Sequence, residues 1–265
     1  MLLTGKSNSI ASNKYKTPIN LKGTNPIIRL FEIKLEPMTA LIHKATISFL
    51  KDLSKNNNRD WFNDNKQHYL QAQENVVYFF DQLIAKMNTH DRLETASGKA
   101  SIYRIYNDVR FSKDKTPYNP RFAGSLKRKK PQLRGGYYLW IKPGESRLSC
   151  GFAYPNPEDL KRVRLDIHNN YKDWNKLLTS TAIRTNFGSM IGEQVKTTPK
   201  GFPKDHPAID LLRYKQYWFT QSFTDKEILD NGFFNNANRT FKSIRPFFNY
   251  MSEVLTTDLN GESII

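Results

Sequence analysis

From Thr46 onward, apolar positions recur at helical spacing: Ile47, Phe49, Leu50 and Leu53 form a short stripe that Asn56-Asn57-Asn58 interrupts. Asn58 suits an N-cap, and the spacing predicts a long helix from Arg59 with Trp61, Phe62, Tyr69, Val76, Phe80, Leu83 and Met87 on its apolar face. After Gly98 the period shortens. Residues 103–110 alternate as an extended strand does and lead into a turn that ends at Tyr118. Residues 121–126, 136–142 and 147–153 also read as strands, and Pro143-Gly144-Glu145-Ser146 marks a hairpin between the last two. Asn156-Pro157-Glu158-Asp159 then opens a helix with Leu160, Val163 and Ile167 inward, and a second helix is expected around Trp174, Leu177 and Leu178. A proline-punctuated loop covers 197–207, and 217–223 forms a final strand. The capping box Thr224-Asp225-Lys226-Glu227 starts a helical C-terminus through Phe233, Phe241, Phe247 and Met251, which Pro246 should kink or divide. Helices at both ends of a hairpin-rich middle predict an α+β fold with a central, mainly antiparallel sheet.

Residues 1–37 break this pattern. They lack periodicity, and their first acidic residue is Glu32. They are expected to stand outside the fold, as a disordered arm, a targeting peptide or an extension ahead of a start at Met38. Their single arginine, Arg29, argues against an organellar transit peptide. No Gly/Ser/Pro linker divides the rest, so 38–265 is expected to be one domain. No apolar run approaches the ~18 residues that span a bilayer, and no membrane partner is expected. The lone Cys150 permits no intrachain disulfide, which fits a reducing cytoplasm. On a predicted strand it should be a buried small hydrophobe, not a nucleophile.

Charge sharpens the functional question. The chain carries a formal +16, of which residues 1–37 hold six Lys/Arg against two Asp/Glu, leaving +12 for the remainder. Such a surplus favours phosphate ligands, nucleic acid or acidic lipid, although it also serves solubility. On an extended strand Arg104, Tyr106, Asp108 and Arg110 would share one face. Arg104 would lie ~13 Å from Asp108, so Asp108 and Arg110 can pair while Arg104 must look elsewhere. Arginine grips carboxylate or phosphate with a planar fork, and Lys113, Lys115 and the Tyr118 hydroxyl would add donors from the turn. The expected site is therefore a pocket, binding or catalytic, for an anionic small molecule bearing phosphate or carboxylate. The same residues also suit a structural ion network in which Asp108 is bracketed by arginines and Lys115 caps a carbonyl.

Other chemistry is thinly represented. Asp108 and Asp114 stand six apart without a neighbouring Glu, and the five histidines form no ligand spacing with one another or with Cys150. No metal or cofactor is expected. Asp108 and His206 are the candidate acid–base groups, although His206 equally suits packing in its turn or capping the helix near Ile209. No nucleophile elbow, P-loop or dinucleotide fingerprint occurs. The basic loop 127–130 with Arg134 could touch a phosphate backbone, and Tyr137, Tyr138 and Trp140 could stack bases, although alternation must bury one parity of them. These features support the alternative of a non-enzymatic nucleic-acid-binding module.

Arg104, Asp108, Arg110, Phe111, Lys115 and Tyr118 fit a spaced signature that resembles the domain-of-unknown-function 2461 family. Asn57-Asn58-Arg59-Asp60-Trp61-Phe62, Pro199-Lys200-Gly201-Phe202, His206-Pro207 and Leu212-Arg213-Tyr214-Lys215 extend the likeness from near Phe49 to about Phe223. Asn107 stands where the family has arginine, which removes one cation. The resemblance joins the signature to the later motif and so implies that Arg213 and Lys215 approach the pocket. It supplies no reaction.

Overall fold

The protein is described from a computed structural model, which covers residues 40–258 and 260–265. The expectation for residues 1–37 lies outside the described residues. The described chain falls within one compact unit, Thr39–Ile265.

Four helices come first: α1 (Lys44–Lys55), α2 (Arg59–Asp64), α3 (Lys66–Met87) and the single turn α4 (Gly98–Ser101). A meander of β1 (Phe122–Lys127), β2 (Gly136–Ile141) and β3 (Ser146–Phe152) follows. Then come α5 (Pro157–Asn169), α6 (Tyr171–Leu178), α7 (Thr181–Phe187) and α8 (Ile209–Leu212), before β4 (Tyr217–Phe223) returns beside β3. Last come α9 (Asp225–Ile228), α10 (Phe233–Ser243) and α11 (Arg245–Thr256). The sheet order is β1-β2-β3-β4 and every pairing is antiparallel. This is the α+β fold with a central antiparallel sheet that the alternation predicted.

Two local expectations fail for identifiable reasons. The long helix from Arg59 is cut at Asn65, whose backbone N–H and side-chain Nδ2 both donate to the Trp61 carbonyl (3.0 and 2.9 Å). Asparagine offers the backbone this alternative to helical continuation. Residues 103–118 form no strand. They leave the sheet edge after the bridge Ile102↔Gly124, double back through the bridge Tyr106↔Tyr118, and return as β1. Elsewhere the caps act as read: Asn58 Oδ1 accepts from Trp61 N–H, Asn156 Oδ1 accepts from Asp159 N–H, and the Thr224–Glu227 box is complete. Pro246 divides the C-terminal segment, sitting in the first turn of α11.

Alternation gives the sheet two faces. Phe122, Leu126, Tyr137, Leu139, Ile141, Leu148, Cys150, Tyr217 and Phe219 point inward and are buried. They meet α10 and α11 through aromatic pairs, with Tyr137 5.0 Å from Phe241 and 5.1 Å from Phe248, and Phe219 5.0 Å from Phe247. Burying one such ring contributes about 1.5–3 kcal/mol. Gly124 belongs to this face, and a Cβ there would lie 2.8 Å from the Phe80 ring. Arg128, one of the loop cations expected to be able to touch a phosphate backbone, is fully buried: its Nε pairs with Asp91 (3.0 Å) and its Nη atoms donate to Arg134 O, Ser252 Oγ and Asn249 Oδ1. The Tyr137 hydroxyl donates to the same Asp91 carboxylate at 2.5 Å.

Burial pushes the Tyr217 phenol up, and burial plus the Asp91 charge pushes Tyr137 well up. Above the ordinary tyrosine value of about 10 the unfolded chain releases protons that the folded chain keeps. Stability should therefore fall as pH rises through that value. In an alkaline titration, part of the phenolate absorbance should appear only together with the loss of the far-UV circular dichroism signal. If every tyrosine ionises while the fold persists, the burial argument fails.

Among the described residues, no helix is long and apolar enough to cross a membrane, and no cluster of His, Cys, Asp and Glu gathers that could hold a metal.

Candidate ligand-binding site on the open sheet face

The signature residues occupy the excursion between Tyr103 and Arg121. Its neck is tight. Tyr118 is buried and stacks on Phe62 with ring centroids 4.0 Å apart, and Asn57 clamps the Tyr118 backbone, donating to its carbonyl (2.8 Å) and accepting from its N–H (3.1 Å). Asn107, in the place of the family arginine, serves this neck: its N–H donates to Pro117 O (2.9 Å) and its Nδ2 to Thr116 O (2.9 Å). The tip is exposed. Arg110 holds Asp108 through Nε (2.9 Å) and Nη2 (2.7 Å), and Lys115 donates to Val109 O (3.0 Å). The Arg110 hydrogen bonds, and after them the Arg104 charge, keep the Asp108 carboxyl below the usual carboxylate range. Arg104 and Lys113 make no hydrogen bond or ion pair among the described residues, and both are exposed. Because the Asp108–Arg110 pair faces water, Asp108→Asn is expected to leave the thermal midpoint unchanged within error. A clear drop in a melting curve would show that the pair braces the tip.

The later motif goes elsewhere. Arg213 donates to Val195 O (2.9 Å) and Lys196 O (2.9 Å), and Lys215 pairs with Glu193 (2.7 Å). These residues lead into the start of β4, whereas the excursion leads into the start of β1 on the opposite flank. The pairing register separates those two starts by three strand spacings and about six residues, roughly 24 Å. His206 is spent on structure: Nδ1 accepts from Ala208 N–H (3.0 Å), so Nε2 is the donor to His168 O (3.1 Å). Cys150 is wholly buried, and burial holds its thiol well above the ordinary value. It should react with a thiol reagent only after denaturant is added; fast labelling of the folded protein would contradict this placement.

Among the described residues, nothing covers the second face of the sheet. Its register sets side chains in rows: Ala123, Trp140, Arg147 and Ser222, then Ser125, Tyr138, Ser149 and Thr220, then Lys127, Gly136, Gly151 and Trp218. A cavity of about 500 Å³ lies over them. Tyr103 walls it on the β1 side, where its N–H donates to Ala123 O (2.8 Å). Ile191 walls it on the β4 side, exchanging backbone hydrogen bonds with Trp218 (2.8 and 2.9 Å). Gly136 and Gly151 leave the Trp218 row bare on β2 and β3. Only glycine fits at 151, where φ is +150° and a Cβ would stand 2.0 Å from the Tyr217 carbonyl oxygen. Tyr138 meets Trp218 edge to face, with centroids 5.1 Å apart.

At one end of this groove stand two guanidiniums over the Trp140 indole, Arg121 from the β1 side at 3.9 Å and Arg147 from the β3 side at 4.2 Å. Neither makes a side-chain hydrogen bond or ion pair among the described residues. Glu145 feels the Arg147 charge, but it is bonded to Lys142 (2.7 Å). Burial, and next the Arg147 charge, pulls the Arg121 guanidinium below its ordinary value. Trp140 Nε1 is buried without a partner as well. Thus two half-buried like charges, held by the indole alone, meet beside an orphan donor. Apart from the aromatic pair Tyr138 and Trp140, sequence reasoning missed this cluster. The hairpin alternation carried the signal, since it places 138, 140, 147 and 149 on one face.

The chain matches the conserved hypothetical protein family DUF2461 over residues 45–250. Neither a curated protein nor a solved structure matches it. The family match takes in the signature, the sheet and the groove, and covers most of the sequence. The chain therefore belongs to the DUF2461 family.

Proposed function

We propose that this protein binds an anionic ligand that carries a flat ring, held on the open sheet face with Arg121 and Arg147 as the anion clamp. The observation that carries the reading is the pair of half-buried guanidiniums without a carboxylate partner. Among the described residues, the Trp140 indole is the only partner of either guanidinium, and an anion bonded to their outer N–H groups would offset the repulsion between them. The groove beside them supplies Tyr103, Tyr138 and Trp218 for a ring, and its volume lies in the usual range for small-ligand sites. This reading moves the anion site away from the Arg104–Tyr118 segment, where it was expected, to the groove beside the excursion. Of the two residues that bound the excursion, Tyr103 lines the groove and Arg121 stands over its Trp140, and Arg104 follows Tyr103 as a cation with no hydrogen bond or ion pair among the described residues. Among the described residues, the groove lining holds no carboxylate, imidazole or thiol, which favours binding over acid–base or nucleophilic catalysis. The phosphate of a nucleotide would suit the clamp and its base the aromatic floor. The lone buried cysteine is in keeping with a cytoplasmic setting.

Thermal stabilisation tests the reading. A nucleoside monophosphate at a hundred times its dissociation constant should stabilise the wild type by about 2.7 kcal/mol, with inorganic phosphate or the bare nucleoside doing less at equal concentration. Arg147→Gln, on the solvent side of the sheet, should keep its own melting temperature and lose most of the response. An undiminished response in that variant would refute the clamp.

A further inference from the structure

We infer that the groove receives a single strand of nucleic acid rather than a lone nucleotide, an inference that rests on the ring-and-anion reading above. Three observations carry it. The first is length. Trp140 and Trp218 are two strands apart, and their rows are two steps apart along the strands. The diagonal between them is roughly 16 Å, while successive phosphates of a stacked strand advance only about 3.4 Å each. The floor is thus longer than one nucleotide needs.

The second observation is the placement of charge. Arg121 and Arg147 stand at one end of the floor. At the other, Lys127 lies on the open face opposite Gly136, and the exposed Lys129 and Lys130 continue from it. No ion pair occupies these three lysines among the described residues. Along β1 and β2 the order is cation, aromatic, cation: Arg121, then Trp140 and Tyr138, then Lys127, which lies three strands across its row from Trp218. A ligand with one anionic group reaches one end of such a track, whereas a chain of phosphates reaches both.

The third observation is shape. The floor is a shallow sheet surface with Tyr103 half exposed at its wall (51%), and Gly136 and Gly151 flatten the approach to Trp218. Bases can stack there only if they are unpaired, because a duplex hides its ring faces and offers only phosphates and groove edges.

The experiment is a fluorescence-anisotropy titration of the full chain, with a labelled mixed-sequence octanucleotide as single-stranded DNA, as single-stranded RNA and as a duplex. A nucleoside monophosphate competes in a parallel titration. Each is run at two salt concentrations. The single strands should bind at least tenfold tighter than the monophosphate and tighter than the duplex. Trp218→Ala and Tyr103→Ala should each weaken single-strand binding about fivefold or more, as the loss of a stacking partner does. Tyr103 is exposed, so its variant remains informative if Trp218→Ala does not fold. Lys127→Ala should lower the slope of log affinity against log salt by about 0.7, the share of one phosphate on a single strand. If the monophosphate binds and the octanucleotide is no tighter, the strand inference is overturned and the ring-and-anion site stands. If neither binds to folded protein, both fall. If duplex and single strand bind alike and neither aromatic variant changes anything, the contact is a diffuse cationic surface and the strand inference is overturned.

Discussion

Asp91→Ala should lower the thermal midpoint by roughly 6–20 °C, the largest single-residue effect expected in this protein. Asp91 is 5% exposed and holds Arg128, which is 0% exposed, together with the Tyr137 hydroxyl and Arg245. Removing the carboxylate strands a buried guanidinium at a cost of about 3–5 kcal/mol. At this chain length each kcal/mol moves the midpoint by about 2–4 °C. The origin of the loss is checked by pairing the change with Arg128→Met. If the damage comes from the orphaned charge, the double variant recovers much of it, because an apolar replacement of both partners is far cheaper than breaking the pair. A drop of only a degree or two in Asp91→Ala would show that water reaches Arg128. This network also explains why the basic loop is less available than its composition suggests. One of its four cations is a core residue tying β1 to α11.

The second large effect concerns the signature itself. Tyr118→Ala is expected to cost about 3–5 kcal/mol, the range for deleting a well-packed ring, and to expose the tip of the excursion to protease. Phe62 and Tyr106 pack on the Tyr118 ring at 4.0 and 5.4 Å, and Asn57 grips its backbone from α2's approach. Without the ring the neck has no lock. Tyr118→Phe should be nearly silent, since the hydroxyl makes no hydrogen bond among the described residues and its raised pKa comes from burial and next from the Tyr106 phenol. Melting curves and limited proteolysis of the two variants decide the matter. Equal behaviour of Ala and Phe would mean that the neck is held by its backbone bonds. On this view much of the spaced signature is a fastening, and Arg110 and Lys115 hold a tip together.

The fold was legible where one local force decides. Residues 136–142 and 147–153 alternate around Pro143-Gly144, and β2 and β3 follow; Tyr217–Phe223 forms β4 as its aromatic alternation suggested. Caps were equally readable, because Asn58, Asn156 and Thr224 each act within three residues. What stayed hidden depends on distant partners. Residues 103–110 alternate like a strand, yet Phe62 and Asn57, more than forty positions earlier, draw Tyr118 into a neck and bend the segment away. The candidate site was hidden in the same way. Arg121 and Arg147 look ordinary in sequence, and they become a site only when register sets one of them across from Trp140 and brings the other over it. The excursion is densest in charge at its exposed tip, whereas the half-buried charges without a carboxylate, Arg121 and Arg147, lie at its end and on β3.

Both flanks of the sheet are already taken, β1 by the bridge from Ile102 and β4 by the two backbone bonds between Ile191 and Trp218. A strand from another molecule therefore finds no free ladder at those places to extend. Side chains on the open face stand on a backbone that the inward face holds in place. If the open face is the binding surface proposed above, exchange at positions such as 138, 147 or 218 would change what is bound while leaving the inward-facing core in place.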